Sequence, residues 1–236
     1  MIGAQGSVTA RYLGVFLNSG SNNSVVNYGE ISSGETAVST NGGDLLVANH
    51  GTMSSFRSYT ISFFSLSAGN DIREVVNTGV INGPIVNNSP TIYNAAGAEF
   101  HLDNSGAILG ALRALFSGAQ QNFITNTGLI TGDILTDSNT TSSPSDNFIA
   151  NTGLIFGDVT FNSLGSSAVP NTSQVKMTNT GLISGDVAAT GLTMMRNIGT
   201  IDGDVTLSWN NDIYRGFGGT VLGTIDGGTD NDTYFI

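Results

Sequence analysis

The stretch NTGLITGDI, residues 126–134, decides the fold, because close copies of it return along most of the chain. The other clear copies begin at Asn77, Asn104, Asn151, Asn179 and Asn197, and weaker copies begin at Asn27 and Asn49. Successive copies start between 18 and 28 residues apart. A unit that returns at such a period is typical of a solenoid, in which one unit buries its apolar side only by stacking on the next.

Apolar residues around each copy alternate with polar ones. Near Asn126 the apolar positions are Ile124, Ile130 and Ile134, which are separated by even numbers of residues. The equivalent positions of the next three copies are Ile149, Ile155 and Val159; Met177, Ile183 and Val187; and Met195, Ile201 and Val205. Period-2 alternation in short runs broken by glycine predicts β-strands with inward apolar side chains. We therefore predict an all-β, right-handed parallel β-helix (β-solenoid) of about 8–10 coils, stacked about 4.8 Å apart.

The repeated asparagines and glycines have structural interpretations. Stacked in register, the asparagines predict a ladder of amides along the solenoid. The glycines two and six residues after each asparagine, such as Gly128 and Gly132, fit places where the backbone has positive φ or passes close to its neighbour.

Composition excludes several classes of function. The 236 residues include 7 Lys and Arg against 18 Asp and Glu, a formal net charge of −11. Nucleic-acid binding needs clustered cations, and Arg73, Arg113, Lys176, Arg196 and Arg215 stand at unrelated positions of the repeat. We therefore predict no nucleic-acid partner. No window approaches the length of an apolar membrane span, so we predict no membrane insertion. The absence of cysteine excludes disulfides and thiolate metal sites.

The repeat runs through nearly the whole chain and predicts one continuous elongated domain. Residues 1–70 are less regular and are interpreted as degenerate N-terminal coils or a cap, residues 71–225 as regular coils, and residues 226–236 as the start of a glycine-rich turn. We also predict that the sequence is part of a longer chain at both ends.

Segments of variable length predict protruding loops, because the spacing between copies changes outside the shared phrase. The candidates are residues 84–94, 136–146 and 161–173, which are rich in Ser, Thr, Asn and Pro. Loops on one side of a solenoid often carry its binding surface.

Four consecutive copies place an aspartate seven residues after the asparagine. These residues are Asp133, Asp158, Asp186 and Asp204. Stacked carboxylates about 5 Å apart repel each other by roughly 1 kcal/mol per pair in water. Such a column either extends into solvent as ordinary turn residues or holds cations, and we predict bound calcium as the functional alternative.

The C-terminal stretch DGGTDNDTYFI suggests a second calcium site. It matches the nonapeptide G-G-x-G-x-D-x-U-x through Gly227, Gly228, Asp232 and Tyr234, whereas Asp230 replaces the third glycine. Backbone carbonyls of such turns and the carboxylate of the aspartate are ligands that calcium prefers. Two consecutive turns normally close a site, and the related fragment NND at residues 210–212 is interpreted only as a turn.

The NTGLIxGDV coils followed by GGTDNDTYF resemble large secreted surface proteins of Gram-negative bacteria. Those proteins combine β-helical passenger or adhesin-like repeats with RTX (hemolysin-type) calcium-binding repeats. The resemblance to the coils covers about residues 70–225, and the resemblance to RTX repeats covers residues 226–236. It implies a parallel β-roll, calcium taken up outside the cell, type I secretion and a location in the extracellular medium or on the bacterial surface.

The leading hypothesis is an extracellular structural or adhesive scaffold, stiffened by calcium, that acts through side loops or by end-to-end association. Its expected partners are cell-surface or polysaccharide ligands, or copies of itself. The alternative is a polysaccharide-acting β-helix enzyme, either a lyase, an epimerase or a tailspike-like hydrolase. Such an enzyme needs a converging acid and base, and the nearest pair in sequence is His101 and Asp103. A third possibility is ice binding by the threonine column Thr78, Thr127, Thr152 and Thr180.

Overall fold

The computed structural model describes residues 1–18, 20, 22–64, 71–84, 89–94, 98–116, 121–138, 146–163 and 174–236. The first ten strands are β1 (Ser7–Ala10), β2 (Leu13–Leu17), β3 (Asn23–Asn27), β4 (Glu30–Ser33), β5 (Thr36–Thr40), β6 (Leu45–Asn49), β7 (Thr52–Ser55), β8 (Ile61–Phe63), β9 (Asp71–Asn77) and β10 (Val80–Asn82). The next ten are β11 (Ile92–Asn94), β12 (Ala98–Asn104), β13 (Ala107–Leu109), β14 (Leu112–Phe116), β15 (Gln121–Asn126), β16 (Leu129–Ile130), β17 (Ile134–Ser138), β18 (Asp146–Asn151), β19 (Leu154–Ile155) and β20 (Val159–Ser163). The last ten are β21 (Gln174–Asn179), β22 (Leu182–Ile183), β23 (Val187–Ala189), β24 (Leu192–Asn197), β25 (Thr200–Ile201), β26 (Val205–Leu207), β27 (Ile213–Arg215), β28 (Thr220–Val221), β29 (Ile225–Asp226) and β30 (Thr233–Phe235).

Every third strand belongs to the same sheet, so that the chain winds through ten coils of three strands each. Sheet 1 contains β1 and every third strand to β28, sheet 2 runs from β2 to β29, and sheet 3 runs from β3 to β30. The strand pairs are parallel, as in the pairing of β15 with β18. The prediction of an all-β parallel β-helix is confirmed, and the ten coils fall within the predicted number. No helix is present in the described part of the chain, and thus none that is long and apolar enough to cross a membrane.

The predicted inward positions form the core. Ile124, Ile130 and Ile134 lie in sheets 3, 1 and 2 respectively, and none is more than 1 % exposed. Their equivalents in the next three coils are equally buried, at 3 % exposure or less. The three sheets therefore enclose one continuous apolar column, and burial of such side chains is the main favourable term in folding.

Arg73 departs from the apolar pattern. It stands in register with Leu45 and Phe100 on the inward side of sheet 3 and is fully buried. Its guanidinium donates a hydrogen bond of 2.8 Å to Oδ1 of Asn94 and lies 5.9 Å from the centre of the Phe63 ring. Burial lowers the pKa of Arg73 to about 10, although Asp71 opposes this effect. A charged residue thus occupies a core position, held by a hydrogen bond and an aromatic ring.

The segments that we predicted to be loops contain more strand than expected. The predicted loop at 84–94 includes β11, which pairs with β8 and β14 in sheet 2. Strands β17 and β20 continue to residues 138 and 163, because their backbone groups pair with each other across the coils. The central parts of the other two predicted loops, residues 139–145 and 164–173, lie outside the described residues. The strands before residue 64 join the same three sheets, while the predicted boundaries at residues 70 and 225 stay a prediction.

Candidate functional site

The repeated asparagines line the corner where sheet 3 turns into sheet 1. Their amides form one ladder in which each Nδ2 donates to Oδ1 of the next coil at 2.8–2.9 Å. Its members are Asn27, Asn49, Asn77, Asn104, Asn126, Asn151, Asn179 and Asn197, all at most 2 % exposed. The amide ladder is confirmed and includes both weak copies of the repeat. Because the amides are buried and paired with one another, their role is structural.

The glycine two residues after each asparagine is required by close approach of the coils. A Cβ built on Gly128 would overlap the carbonyl oxygen of Gly106, and the same overlap recurs between Gly153 and Gly128. Gly128 does not have positive φ. Of the two predicted reasons for this glycine, close backbone contact is therefore the correct one.

The predicted aspartate column lies at the corner between sheets 1 and 2. The structure places Asp133, Asp158, Asp186 and Asp204 in successive coils, and all four are exposed. Each Oδ1 accepts the backbone N–H of the aspartate in the next coil at 2.8–2.9 Å. The last, Asp204, accepts the N–H and the hydroxyl of Thr224 at 2.7 and 2.9 Å. These bonds join consecutive coils.

The glycine before each aspartate makes room for this arrangement. A Cβ on Gly185 would collide with Oδ1 of Asp158, which lies over the glycine of the following coil. The N–H and the hydroxyl of Thr224 lower the pKa of Asp204, since both stabilise the ionised form. Hydrogen bonds therefore account for the Gly-Asp pair of the repeat without an ion, and the prediction that the column holds calcium stays a prediction.

The C-terminal turn stacks directly on the turn of the preceding coil. The N–H of Asn210 donates to Oδ2 of Asp230, and the N–H of Asp212 donates to Oδ1 of Asp232, each at 3.0 Å. Asp230 has φ of 86°, a left-handed conformation that favours the glycine expected there by the motif. Residues 210–212, which we interpret as a turn, thus lie one coil before the glycine-rich turn and are bonded to it.

Asp212 is the residue of this region that the sequence analysis did not select. It is fully buried, and its Oδ1 accepts the N–H of Thr193 at 2.7 Å. Its Oδ2 has no hydrogen-bond partner among the described residues. Burial, opposed by the hydrogen bond from Thr193 and assisted by the nearby charges of Asp232 and Asp230, raises the pKa of Asp212 to about 7. Buried carboxylate oxygens are rarely left unpaired, so this oxygen needs a proton or a cation nearby.

The candidate calcium ligands of the turn surround this carboxylate only in part. Asp232 is partly exposed, Asp230 is exposed, and a Cβ on Gly227 would strike Oδ2 of Asp232. A Cβ on Gly228 would strike the carbonyl oxygen of Ser208. Over the described ranges, no group of three or more Asp, Glu or His side chains is arranged to hold a metal ion. The oxygens present are of the type that calcium takes, and calcium at Gly227, Gly228, Asp230 and Asp232 stays a prediction.

Several basic residues gather on the outer face of sheet 3. Arg196 and Arg215 are direct neighbours in register, and Lys176 lies one coil before Arg196. The prediction that these residues stand at unrelated positions is wrong for this pair, because the spacing of the last coils differs from that of the earlier ones. All three side chains are exposed.

His101 belongs to the same face, four strands from Arg196. Its Nε2 lies 2.5 Å from Oε1 of Glu99, and its ring stacks on Phe123 with 4.7 Å between ring centres. Asp103, two residues after His101 on β12, is exposed and belongs to the next row of outward side chains. The histidine thus contacts Glu99 rather than the aspartate that we paired with it in the sequence. In comparisons with protein-family models, curated proteins and solved structures, no match to the chain was found.

Proposed function

We propose that the protein is an extracellular structural or adhesive scaffold, in which a rigid β-solenoid presents flat sheet faces and loops to surface or polysaccharide ligands. The observation that carries this proposal is the unbroken stack of ten coils, joined at two corners by buried amides and by aspartates. Ten coils about 4.8 Å apart extend over roughly 45 Å, with all three sheets in register from end to end. Such a body holds surface groups at fixed spacing.

The proposal includes calcium at the C-terminal turn. The supporting observation is the unpaired Oδ2 of buried Asp212 beside Asp232. A bound cation would satisfy this oxygen and the partly exposed carboxylate of Asp232, together with backbone carbonyls. Calcium at this place would stabilise the last two coils, since binding to the folded state alone raises the free energy of unfolding.

Incubation with a panel of neutral and acidic polysaccharides tests the scaffold against the enzyme. Retardation of the protein in polysaccharide-containing native gels, with no new reducing ends and no unsaturated sugar products, is the expected result. Product formation that increases with protein concentration would contradict the scaffold proposal and support a lyase or a hydrolase instead. Antibody labelling of intact source cells tests location, and labelling only after permeabilisation would contradict an extracellular scaffold.

Thermal unfolding with calcium and then with chelator tests the ion. At one hundred times its dissociation constant, calcium should stabilise the fold by about 2.7 kcal/mol. We expect this effect to disappear in Asp212→Asn/Asp232→Asn and to persist in Asp158→Asn/Asp186→Asn, which removes two charges from the column instead. Loss of the effect only in the second variant would move the ion to the column, and no effect in the wild type would exclude calcium.

A further inference from the structure

Charge is segregated along the outer face of sheet 3, the surface formed by outward side chains of β9 to β27. Toward the N-terminus, β9 and β12 present an acidic half consisting of Glu74, Glu99 and Asp103. Toward the C-terminus, β21, β24 and β27 present a basic half consisting of Lys176, Arg196 and Arg215. In the described part of the chain, no carboxylate lies within ion-pair distance of these three cations. The basic half is therefore an unneutralised patch in a protein of net charge −11.

Aromatic residues separate the two halves. Phe123 on β15 and Phe148 on β18 stack with 4.9 Å between ring centres and 3° between ring planes. His101 covers the free side of Phe123, and the ammonium group of Lys176 lies 5.4 Å from the Phe148 ring centre. The ring faces are thus occupied along the rod, and the ring edges point outward. The centre of the face is a half-buried apolar strip bordered by Asp146, whose Oδ1 accepts the N–H of Gln174.

We propose that this face binds the same face of a second copy of the chain, with the two rods antiparallel. The two-fold axis would lie in the interface, parallel to the strands, between β15 and β18. On one side of this axis β12 and β9 are the second and third strands, and on the other side β21 and β24 are the second and third. Rotation places Phe123 against Phe148 of the second copy and His101 against Lys176, with Asp103 one outward position, about 7 Å, further along the strand from the residue that faces Lys176. Glu74 faces Met194 and is diagonal to Arg196 by the same distance, which the two long side chains span.

The distribution of charge selects this partner and this orientation. A simple anion would neutralise only the basic half, and a simple cation only the acidic half, whereas a second copy satisfies both. A parallel pair of rods would set the basic half against the basic half and the acidic half against the acidic half, and like charges in contact oppose binding. An isologous contact of this kind closes on itself and gives a dimer rather than a fibre. It also covers exposed apolar side chains, including Ile72 and Met194, which are 49 % and 39 % exposed.

The size of the face predicts a reversible dimer. The six strands that face each other about this axis, β9 to β24, are about 4.8 Å apart and about 20 Å long and present roughly 500 Å² per copy. The total of about 1,000 Å² lies at the lower end for specific complexes. The net negative charge of each copy opposes association over distances beyond the interface, and salt weakens the paired charges as well. This inference does not depend on the proposed extracellular role or on calcium.

Sedimentation velocity on two charge-reversal variants tests the proposal. Lys176→Glu/Arg196→Glu makes both halves of the face acidic, and Glu74→Lys/Asp103→Lys makes both halves basic. We expect the wild type to dimerise, each variant alone to be monomeric, and an equimolar mixture of the variants to form a heterodimer. Circular dichroism establishes that each variant retains the β-fold.

A matched control changes the net charge equally on other surfaces. Arg11→Glu/Arg113→Glu alters two exposed arginines away from sheet 3 and should leave the dimer intact. A wild-type monomer at the highest soluble concentration would overturn the proposal. So would dimers of the individual sheet 3 variants, or a mixture that stays monomeric, because complementarity of the two halves would then play no part.

Discussion

Replacement of one asparagine in the middle of the amide ladder should lower the free energy of unfolding strongly, although only one side chain changes. Asn126 accepts a hydrogen bond from Nδ2 of Asn104 and donates to Oδ1 of Asn151, both at 2.8 Å, and it also donates to the carbonyl of Leu154 at 3.2 Å. Asn126→Ala leaves at least one buried donor and one buried acceptor unpaired. At about 1–3 kcal/mol for each, the free energy of unfolding should fall by about 2–6 kcal/mol.

Urea unfolding followed by circular dichroism measures this loss through the midpoint and slope of the transition. Asn23→Ala is the matched control, because Asn23 donates one exposed hydrogen bond to the carbonyl of Gly20, and its cost should stay within about 0.5 kcal/mol. Asn126→Asp keeps the shape but sets an oxygen against Oδ1 of Asn151, so its destabilisation should exceed that of Asn126→Ala at neutral pH and decrease in acid. Equal midpoints for Asn126→Ala and Asn23→Ala would refute a stabilising role of the ladder.

Three further changes test other contacts of the coils. Gly128→Ala should destabilise the protein by about 3 kcal/mol or more in the same urea assay, because its Cβ overlaps neighbouring backbone, whereas Gly3→Ala, whose Cβ meets open space, should be nearly neutral. Asp158→Ala should speed amide hydrogen exchange at Asp186, whose N–H loses its acceptor; unchanged exchange there would show that the bond is not maintained in solution. In chelator, the folded state should keep a proton on Asp212 that the unfolded chain releases, because burial raises its pKa to about 7. The free energy of unfolding of the wild type relative to Asp212→Asn should therefore fall as pH rises from about 4 to 7, and a constant difference would contradict a buried acid.

The sequence predicts the coils well because every coil must bury apolar residues at the same inward positions. Inward residues such as Ile130 and Ile134 must meet their equivalents one coil away, so the alternation alone identifies strand, face and register. Arg73 could not be identified in this way, since a charged residue at an inward position reads as outward until its partner Asn94 is known. The pairing of β9 with its neighbouring strands, rather than the preference of arginine for solvent, therefore determines that this side chain points inward.

The candidate sites were harder to predict because they depend on register in the last coils. Asp212 and Asp232 are 20 residues apart and come into register only after the preceding strands have been aligned. The same holds for Arg196 and Arg215, which the shared phrase does not contain. A signal existed in the dipeptide Asn-Asp, which occurs in both turns, but a single such dipeptide has no specificity without the structure.

From β15 to β26 the coil varies in length at only one of its three corners, because two residues connect sheet 3 to sheet 1 and three connect sheet 1 to sheet 2 in every coil. The amide ladder joins consecutive coils at the corner between sheets 3 and 1, and the aspartate bonds join them at the corner between sheets 1 and 2. An insertion at either corner would break a column of hydrogen bonds in more than one coil. At the corner between sheets 2 and 3 the connection varies from two residues between β23 and β24 to ten between β20 and β21. Chain length therefore changes between sheets 2 and 3 of these coils without disturbing the two columns of hydrogen bonds on which the stack depends.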